Sequence, residues 1–258
     1  MILESGTAIM PLSVFPPISW FAIVSLFHRI ELEVKETYPK QTIRNHYYLA
    51  TANGTLKCSI PVSKPSGNKT RTEEVLIGQE SWSRVHWRAI ESAYSNSAYF
   101  IHYADEIKRI FSVNAEETLV DLAIRSNQYF IKRFNLPVGL GVTKMWSPFS
   151  SFPDLRLLFS SQELTVPVSS YEVNTGLFPN RIKHDTVSAL LVPGLSPSLT
   201  PISLTFSAYF QNFSDKYGFV GNLSVLDLLF NLGPESRDYL IALGRQFAQI
   251  FDSNVIDN

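Results

Sequence analysis

The sequence predicts a mixed α+β fold, in which an N-terminal β-α-β unit and a β-hairpin form a sheet covered by central and C-terminal helices. Three observations lead there. A charge-free stretch over residues 5–27 is broken by Pro11, Pro16 and Pro17; the dipeptide Asn53-Gly54 separates two β-rich runs; and helical apolar spacing dominates from Trp82 to Phe134 and again at the C-terminus. With 45% hydrophobic and 17% charged positions among 258 residues, the chain can bury a large core. It shows no internal repeat and no clean linker, so residues 1–258 read as one domain.

Residues 8–14 are expected to form a buried strand, Phe15-Pro16 a turn, and Pro17 the first position of a helix, with a second strand over residues 30–34. The charge-free stretch is long enough to cross a bilayer, but its prolines would leave carbonyls unpaired in hydrocarbon, so no integral membrane span is expected. Residues 47–52 and 55–62 read as a hairpin closed by a type I′ turn at Asn53-Gly54. Its second strand should turn Leu56, Cys58, Ile60 and Val62 inward. Residues 63–74 lack large apolar side chains and read as a mobile surface loop.

Helices are expected over residues 82–95, with His86 on the inward stripe beside Trp82 and Ala89, and over residues 99–111. A third should cover 115–134, started by the Asn114/Glu117 cap signal and stopped before Pro137. The glycines Gly139 and Gly141 read as a turn. Prolines through residues 162–221 favour short strands there, such as 188–192 and 202–206. Ser224 should cap a helix over residues 223–230, Gly233 should end it, and Pro234 should open a last helix to about residue 251.

Composition also excludes functions. Lys and Arg total 22 against 23 Asp and Glu, a formal charge of -1 that lacks the basic footprint of a general nucleic-acid binder. One cysteine, Cys58, excludes an internal disulfide framework and any multi-cysteine metal site, and suits a reducing, cytoplasmic setting. The five histidines never fall at i and i+4, so no metal site is expected. Gly139-Leu140-Gly141-Val142-Thr143-Lys144 lacks the rest of a phosphate loop or dinucleotide fingerprint, there is no Gly-x-Ser-x-Gly elbow, and no cofactor is expected. Cys58 paired with His86 as a nucleophile is outweighed by its place on the apolar hairpin face, where a cysteine is usually inert packing.

A polar run containing Glu36, Tyr38, Lys40, Gln41, Arg44 and Asn45 follows the second expected strand. Ligands of open α/β sheets bind beyond the carboxyl ends of strands. A helical turn would bring Lys40 and Arg44 together, a repulsion relieved by an anion between them, such as a sugar phosphate or nucleotide diphosphate. The alternative is a solvated loop whose cations pair with Glu33 and Glu36. His86, with an ordinary pKa of about 6.5, fits either a general base or a satisfied core histidine. Trp82 and Trp87 fit packing better than sugar stacking, and Asn222, Asp227 and Asn231 fit caps or local hydrogen-bond partners.

Three segments carry a resemblance. The first is Phe15-Pro16-Pro17-Ile18-Ser19-Trp20-Phe21, with Glu33, Glu36, the run Tyr38 to Asn45, Asn53-Gly54 and Ile60-Pro61-Val62. The second is Trp82-Ser83-Arg84-Val85-His86-Trp87 with Ile90 to Tyr94 and Tyr99-Phe100. The third is Asn222 to Asn231 with Gly233-Pro234-Glu235. In this order they resemble the WbqC-like family of bacterial proteins, which occur with surface-polysaccharide and O-antigen gene sets. His46 follows Asn45 where family members commonly carry arginine, Thr37 stands where a histidine is frequent, and residues 162–221 barely show the pattern.

The resemblance implies cell-envelope glycan synthesis. With the polar run, it leads to the expectation of a cytoplasmic transferase acting on a nucleotide- or lipid-linked sugar. Tyr38, Lys40, Gln41, Arg44 and Asn45 would bind the anionic small molecule, and Glu36 or His86 would move a proton. The alternative is a non-catalytic partner of a glycan-assembly enzyme, its aromatics serving an interface. A peripheral membrane protein attached through the charge-free N-terminal stretch is a third reading.

Overall fold

A computed structural model describes residues 6–256 apart from 41, 79–80, 115, 148–154 and 160–203. The charge-free segment folds as the expected β-α-β unit of β1 (Thr7–Pro11), α1 (Ile18–Val24) and β2 (Arg29–Glu33). The strands are parallel, with Ala8 opposite Ile30 and Met10 opposite Leu32, all four fully buried. Pro11 is tolerated because it is the last residue of an edge strand, where a missing N–H costs least. Its carbonyl accepts the Trp20 indole N–H at 3.2 Å.

The third strand of this sheet lies where a turn is expected. Residues Gly139–Val142 form β7, parallel to the other edge of β2, with Ile30 opposite Leu140 and Leu32 opposite Val142. Here glycine marks a close approach and not a reversal. A Cβ on Gly141 would lie 2.6 Å from Arg29 Nη2 and 2.8 Å from Glu31 Oε1, the ion pair carried on the neighbouring strand.

The hairpin forms from β3 (His46–Thr51) and β4 (Gly54–Ser59), but as a separate two-stranded ladder and not as part of the main sheet. Its turn also differs from type I′. Thr51 pairs with Gly54, only Gly54 has a positive φ (+97°), and Asn53 does not, so the glycine works as a bulge residue after an ordinary turn. Cys58 and Ile60 are buried as expected, whereas Leu56 is 40% exposed.

Residues 63–74 are more tightly held than a free surface loop. They contain two 3₁₀ turns, Gly67–Lys69 and Thr72–Glu74, between β5 (Val62–Ser63) and β6 (Leu76–Ile77), with Thr70 and Thr72 buried. Three backbone bonds zip them to the chain after β2. The Glu73 N–H donates to the Val34 carbonyl at 2.9 Å, the Thr72 N–H to Glu36 at 3.0 Å, and the Tyr38 N–H to Thr70 at 2.9 Å.

Helices α2 (Trp82–Tyr94), α3 (Phe100–Ile110) and α4 (Leu119–Arg133) cover the core. The α4 cap is Thr118, in a capping box with Asp121, and not Asn114. The Asn114 N–H does donate to the Glu117 carboxylate at 2.9 Å, but Glu116 between them takes φ +67°, which no helix continues. Beyond α5 (Ser214–Tyr217), Ser224 caps α6 (Val225–Leu232) and Gly233, at φ +53°, ends it. Pro234 sits in a single 3₁₀ turn before α7 (Ser236–Ile256). Of the strands expected in the proline-rich region, residues 188–192 lie outside the described residues, and 204–206 run without regular structure. No helix among the described residues is long and apolar enough to cross a membrane.

The N-terminal turn and the start of α6 lock together. Asn222 Oδ1 accepts the Ser19 N–H at 2.9 Å, the Ile18 N–H donates to Leu223 at 2.9 Å, and the Val225 N–H donates to Pro16 at 2.8 Å. Asn222 takes a left-handed φ of +50°, which asparagine tolerates better than most side chains. Helix α7 then packs on α1 so closely that a Cβ on Gly244 would lie 2.5 Å from the Ala22 carbonyl oxygen. Backbone cannot swing aside as a side-chain end can. Gly244→Ala is therefore expected to destabilise the protein by about 1–3 kcal/mol despite the better helix propensity of alanine, read as a lowered urea midpoint at unchanged slope.

Candidate functional site

At the carboxyl end of β2, the central strand of the parallel sheet, Glu33 is 1% exposed. A carboxylate there must be matched by donors, and three segments supply them. Glu33 Oε1 accepts the Thr143 hydroxyl at 2.9 Å and the N–H groups of Lys35 at 2.7 Å and Glu36 at 3.2 Å. Oε2 accepts Arg156 Nη1 at 2.9 Å, and Arg156 Nη2 donates to the Ser147 carbonyl at 2.9 Å. One buried acid thus joins β2, the chain leaving β7 and the 3₁₀ turn at Arg156–Phe159.

Glu36 stands on this platform, with its side chain 16% exposed. Its Oε1 accepts both Nε, at 2.8 Å, and Nη2 of Arg44, whose Nη1 donates to the Thr42 hydroxyl at 3.1 Å. Burial pushes the Glu36 carboxyl above the ordinary carboxylate range, Arg44 opposes that, and the Glu33 charge adds to it. Tyr38 lies beside them. Burial raises its phenol to about 12 against the pull of Arg44, and its buried hydroxyl makes no hydrogen bond.

Glu36, Tyr38 and Arg44 therefore converge, while the rest of the polar run does not. Residues 42–45 form a turn, not a helical stretch, so spacing does not pair Lys40 with Arg44. Lys40 is exposed and makes no ion pair among the described residues, whereas Arg44 is 2% exposed and turned onto Glu36. That pairing is the one the loop alternative names, but it is buried and not solvated. Asn45 faces the hairpin. Its Nδ2 donates to the Ile60 carbonyl at 2.9 Å, and its own carbonyl accepts the Ile60 N–H at 2.7 Å. Gln41 lies outside the described residues. Lys35 pairs with Glu73, completing the link to the 3₁₀ turns.

His86 points inward as its spacing implies, into a different environment. Tyr47 Oη and His86 Nδ1 are 2.9 Å apart, and Trp82 and Tyr47 pack edge-on against the ring. Burial pulls its pKa down to about 4, against a backbone hydrogen bond with Ser59. Cys58 meets the same Tyr47, and burial raises its thiol to about 11, which leaves a thiol and not a nucleophilic thiolate at neutral pH. A second buried acid, Asp227, is fully enclosed at the core end of α6. Its Oδ2 accepts from Tyr209 at 2.6 Å and Gln211 at 2.8 Å, and burial raises its pKa against these donors. It is therefore a core hydrogen-bond centre rather than a helix cap.

Sequence reasoning leaves Thr143 and Arg156 unassigned and names Glu33 only as a pairing partner. For Thr143 a signal exists, since it directly follows the glycine-rich strand whose end lies beside β2. Arg156 carries none, because its place follows from tertiary structure alone.

These features define an α+β protein with a buried acid–arginine cluster at the end of a short parallel sheet. The model of the WbqC-like protein family matches residues 13–164, more than half of the chain, and the chain belongs to that family. It is similar to an uncharacterized protein of Mycobacterium tuberculosis, 25% identical over 236 residues that cover 90% of this chain and 96% of the relative. No solved structure matches it.

Removing Glu33 takes a buried acceptor from Arg156, from the Thr143 hydroxyl and from two backbone N–H donors. Glu33→Ala is expected to cost about 3–5 kcal/mol, measured by urea unfolding. His86 and His46, the latter also lowered to about 4 by burial, are neutral in the fold but protonate near 6.5 when unfolded. The unfolded state then binds more protons, so stability is full above pH 6.5 and declines as pH falls towards 4. Each histidine contributes on the order of 2–3 kcal/mol to that decline, and His86→Gln is expected to flatten the profile of unfolding free energy over this window.

Proposed function

We propose that the protein is a cytoplasmic transferase of surface-glycan assembly, acting on a nucleotide- or lipid-linked sugar through Glu36. The observation that carries this reading is a carboxyl group with raised proton affinity, partly open to solvent, held by an arginine at the carboxyl end of the central parallel strand. Proton-transfer carboxylates need a raised pKa, and ligands of parallel sheets collect at this end. The glycan setting comes from the resemblance of the three sequence segments to proteins that occur with surface-polysaccharide gene sets.

In this reading Glu36 takes the proton of an acceptor hydroxyl as that oxygen bonds to the transferred group, and the phosphate of the carrier leaves with the electron pair. Lys40, exposed four residues along the chain from Glu36, would meet that phosphate. Arg44 orients the carboxylate, and the Tyr38 hydroxyl is a donor in reserve for the bound group. Thr42 and Glu33 keep Arg44 and the Glu36 backbone in place.

A non-catalytic partner is the second reading, favoured by Val85 at 57% and Ile101 at 83% exposure on α2 and α3. Glu36→Gln decides between them. On the transferase reading it abolishes the glycan product of the host cluster while the protein stays folded, its unfolding free energy lowered by about 2–3 kcal/mol because glutamine keeps an acceptor for buried Arg44 but not the charge, and Lys40→Ala lowers product yield with little effect on stability. If Glu36→Gln leaves the product unchanged and Val85→Asp with Ile101→Asp removes it, the protein is a partner.

A further inference from the structure

Trp146 stands apart from the other tryptophans. Trp20, Trp82 and Trp87 are 0%, 6% and 9% exposed, whereas Trp146 is 53% exposed. It follows β7 by four residues, and the chain there is fixed to the candidate site. The Thr143 hydroxyl donates to Glu33, and Arg156 donates from one terminal nitrogen to Glu33 and from the other to the Ser147 carbonyl, each at 2.9 Å. The carbonyl of the residue after Trp146 therefore lies one guanidinium away from the Glu33 carboxylate, whose other oxygen holds the Glu36 N–H.

We infer that Trp146 is a sugar-binding residue of this site, its indole face taking the C–H face of the hexopyranose that is transferred; this rests on the glycan-transferase reading above. A pyranose has an apolar face of axial hydrogens and a rim of hydroxyls, so it needs an aromatic platform on one side and charged groups around it. Glu36, partly open to solvent, and the exposed Lys144, next in the chain to the Thr143 that bonds Glu33, supply charge at the sheet end, and Trp146, one residue before the carbonyl that Arg156 holds, supplies the platform. A large, rigid indole offers such a face at little conformational cost.

The other three tryptophans being buried, iodide quenching of fluorescence reads Trp146 almost alone. The test titrates the full chain with UDP-glucose, UDP-N-acetylglucosamine and GDP-mannose, each against UDP or GDP without sugar. At least one sugar nucleotide is expected to shield the quenchable fraction while the bare nucleotide does not. By titration calorimetry, Trp146→Ala should bind that sugar nucleotide roughly tenfold more weakly than wild type, with affinity for the bare nucleotide unchanged, and Trp146→Phe should restore most of the lost affinity. Equal affinity of wild type and Trp146→Ala for a sugar nucleotide that binds overturns the inference and leaves the transferase reading standing. Shielding by a polyprenyl phosphate but by no sugar nucleotide overturns it in favour of a lipid tail. If no sugar nucleotide and no polyprenyl phosphate binds, the transferase reading fails and the inference falls with it.

Discussion

A carboxylate buried at the end of the central strand is the constraint around which this end of the molecule is arranged. Taking a charge such as Glu33 out of water costs several kcal/mol unless donors replace the lost hydration. Glu33 meets that requirement with donors from three separated segments: the backbone after β2, Thr143 after β7 and Arg156 in the 3₁₀ turn. None of these segments can move without leaving a buried charge underpaired. The short loop bearing Glu36 is thereby fixed at both ends, by Glu33 on the sheet side and by the zipper to residues 70–73 on the other.

Matching of the same kind explains why the N-terminal charge-free segment folds as it does. Helix α1 has seven residues, too few to persist through propensity, and Pro17 before it has no side-chain oxygen to cap the first turn. The orphan N–H groups find their acceptors two hundred residues away, in Asn222 and Leu223, while α6 returns the favour through Pro16. The asparagine needs a left-handed backbone to reach, so residue type, backbone conformation and long-range pairing depend on one another. Hydrophobic burial of Trp20, Phe21 and Ile23 drives the segment inward, and this exchange of backbone donors settles where it stops.

What the sequence discloses divides along the same line between local and tertiary causes. Pro17, Ser224 and Gly233 mark helix ends through local chemistry and are legible directly, as is the inward turn of His86 from its stripe. Glycine is ambiguous: in β7 it makes room for Arg29 and Glu31, in Gly54 it closes a turn, and composition alone does not tell these apart. Thr118 and Asp121 outcompete the equally plausible Asn114/Glu117 pair because the intervening Glu116 leaves helical space. In the polar run, Glu36, Tyr38 and Arg44 meet as charge logic allows. The spacing argument for Lys40 and Arg44 presumes a helix the chain does not form, since residues 42–45 turn into β3 instead.

The opposed effects on Glu36 bear on how such a site can respond to an anion. Burial and the neighbouring Glu33 favour its protonated form, while Arg44, and after it Arg156, favour the carboxylate. Both Arg44 contacts fall on Oε1, so the ion pair engages one carboxylate oxygen only. On the proposed reading, a negative group beside this carboxyl would add repulsion to Glu36 and draw on the guanidinium that holds it, so occupancy and proton affinity would rise together. On that reading the site needs no positively charged basin. In the proposed transferase, an arginine already committed to one carboxylate would couple the arrival of a phosphate to the readiness of the acid it holds.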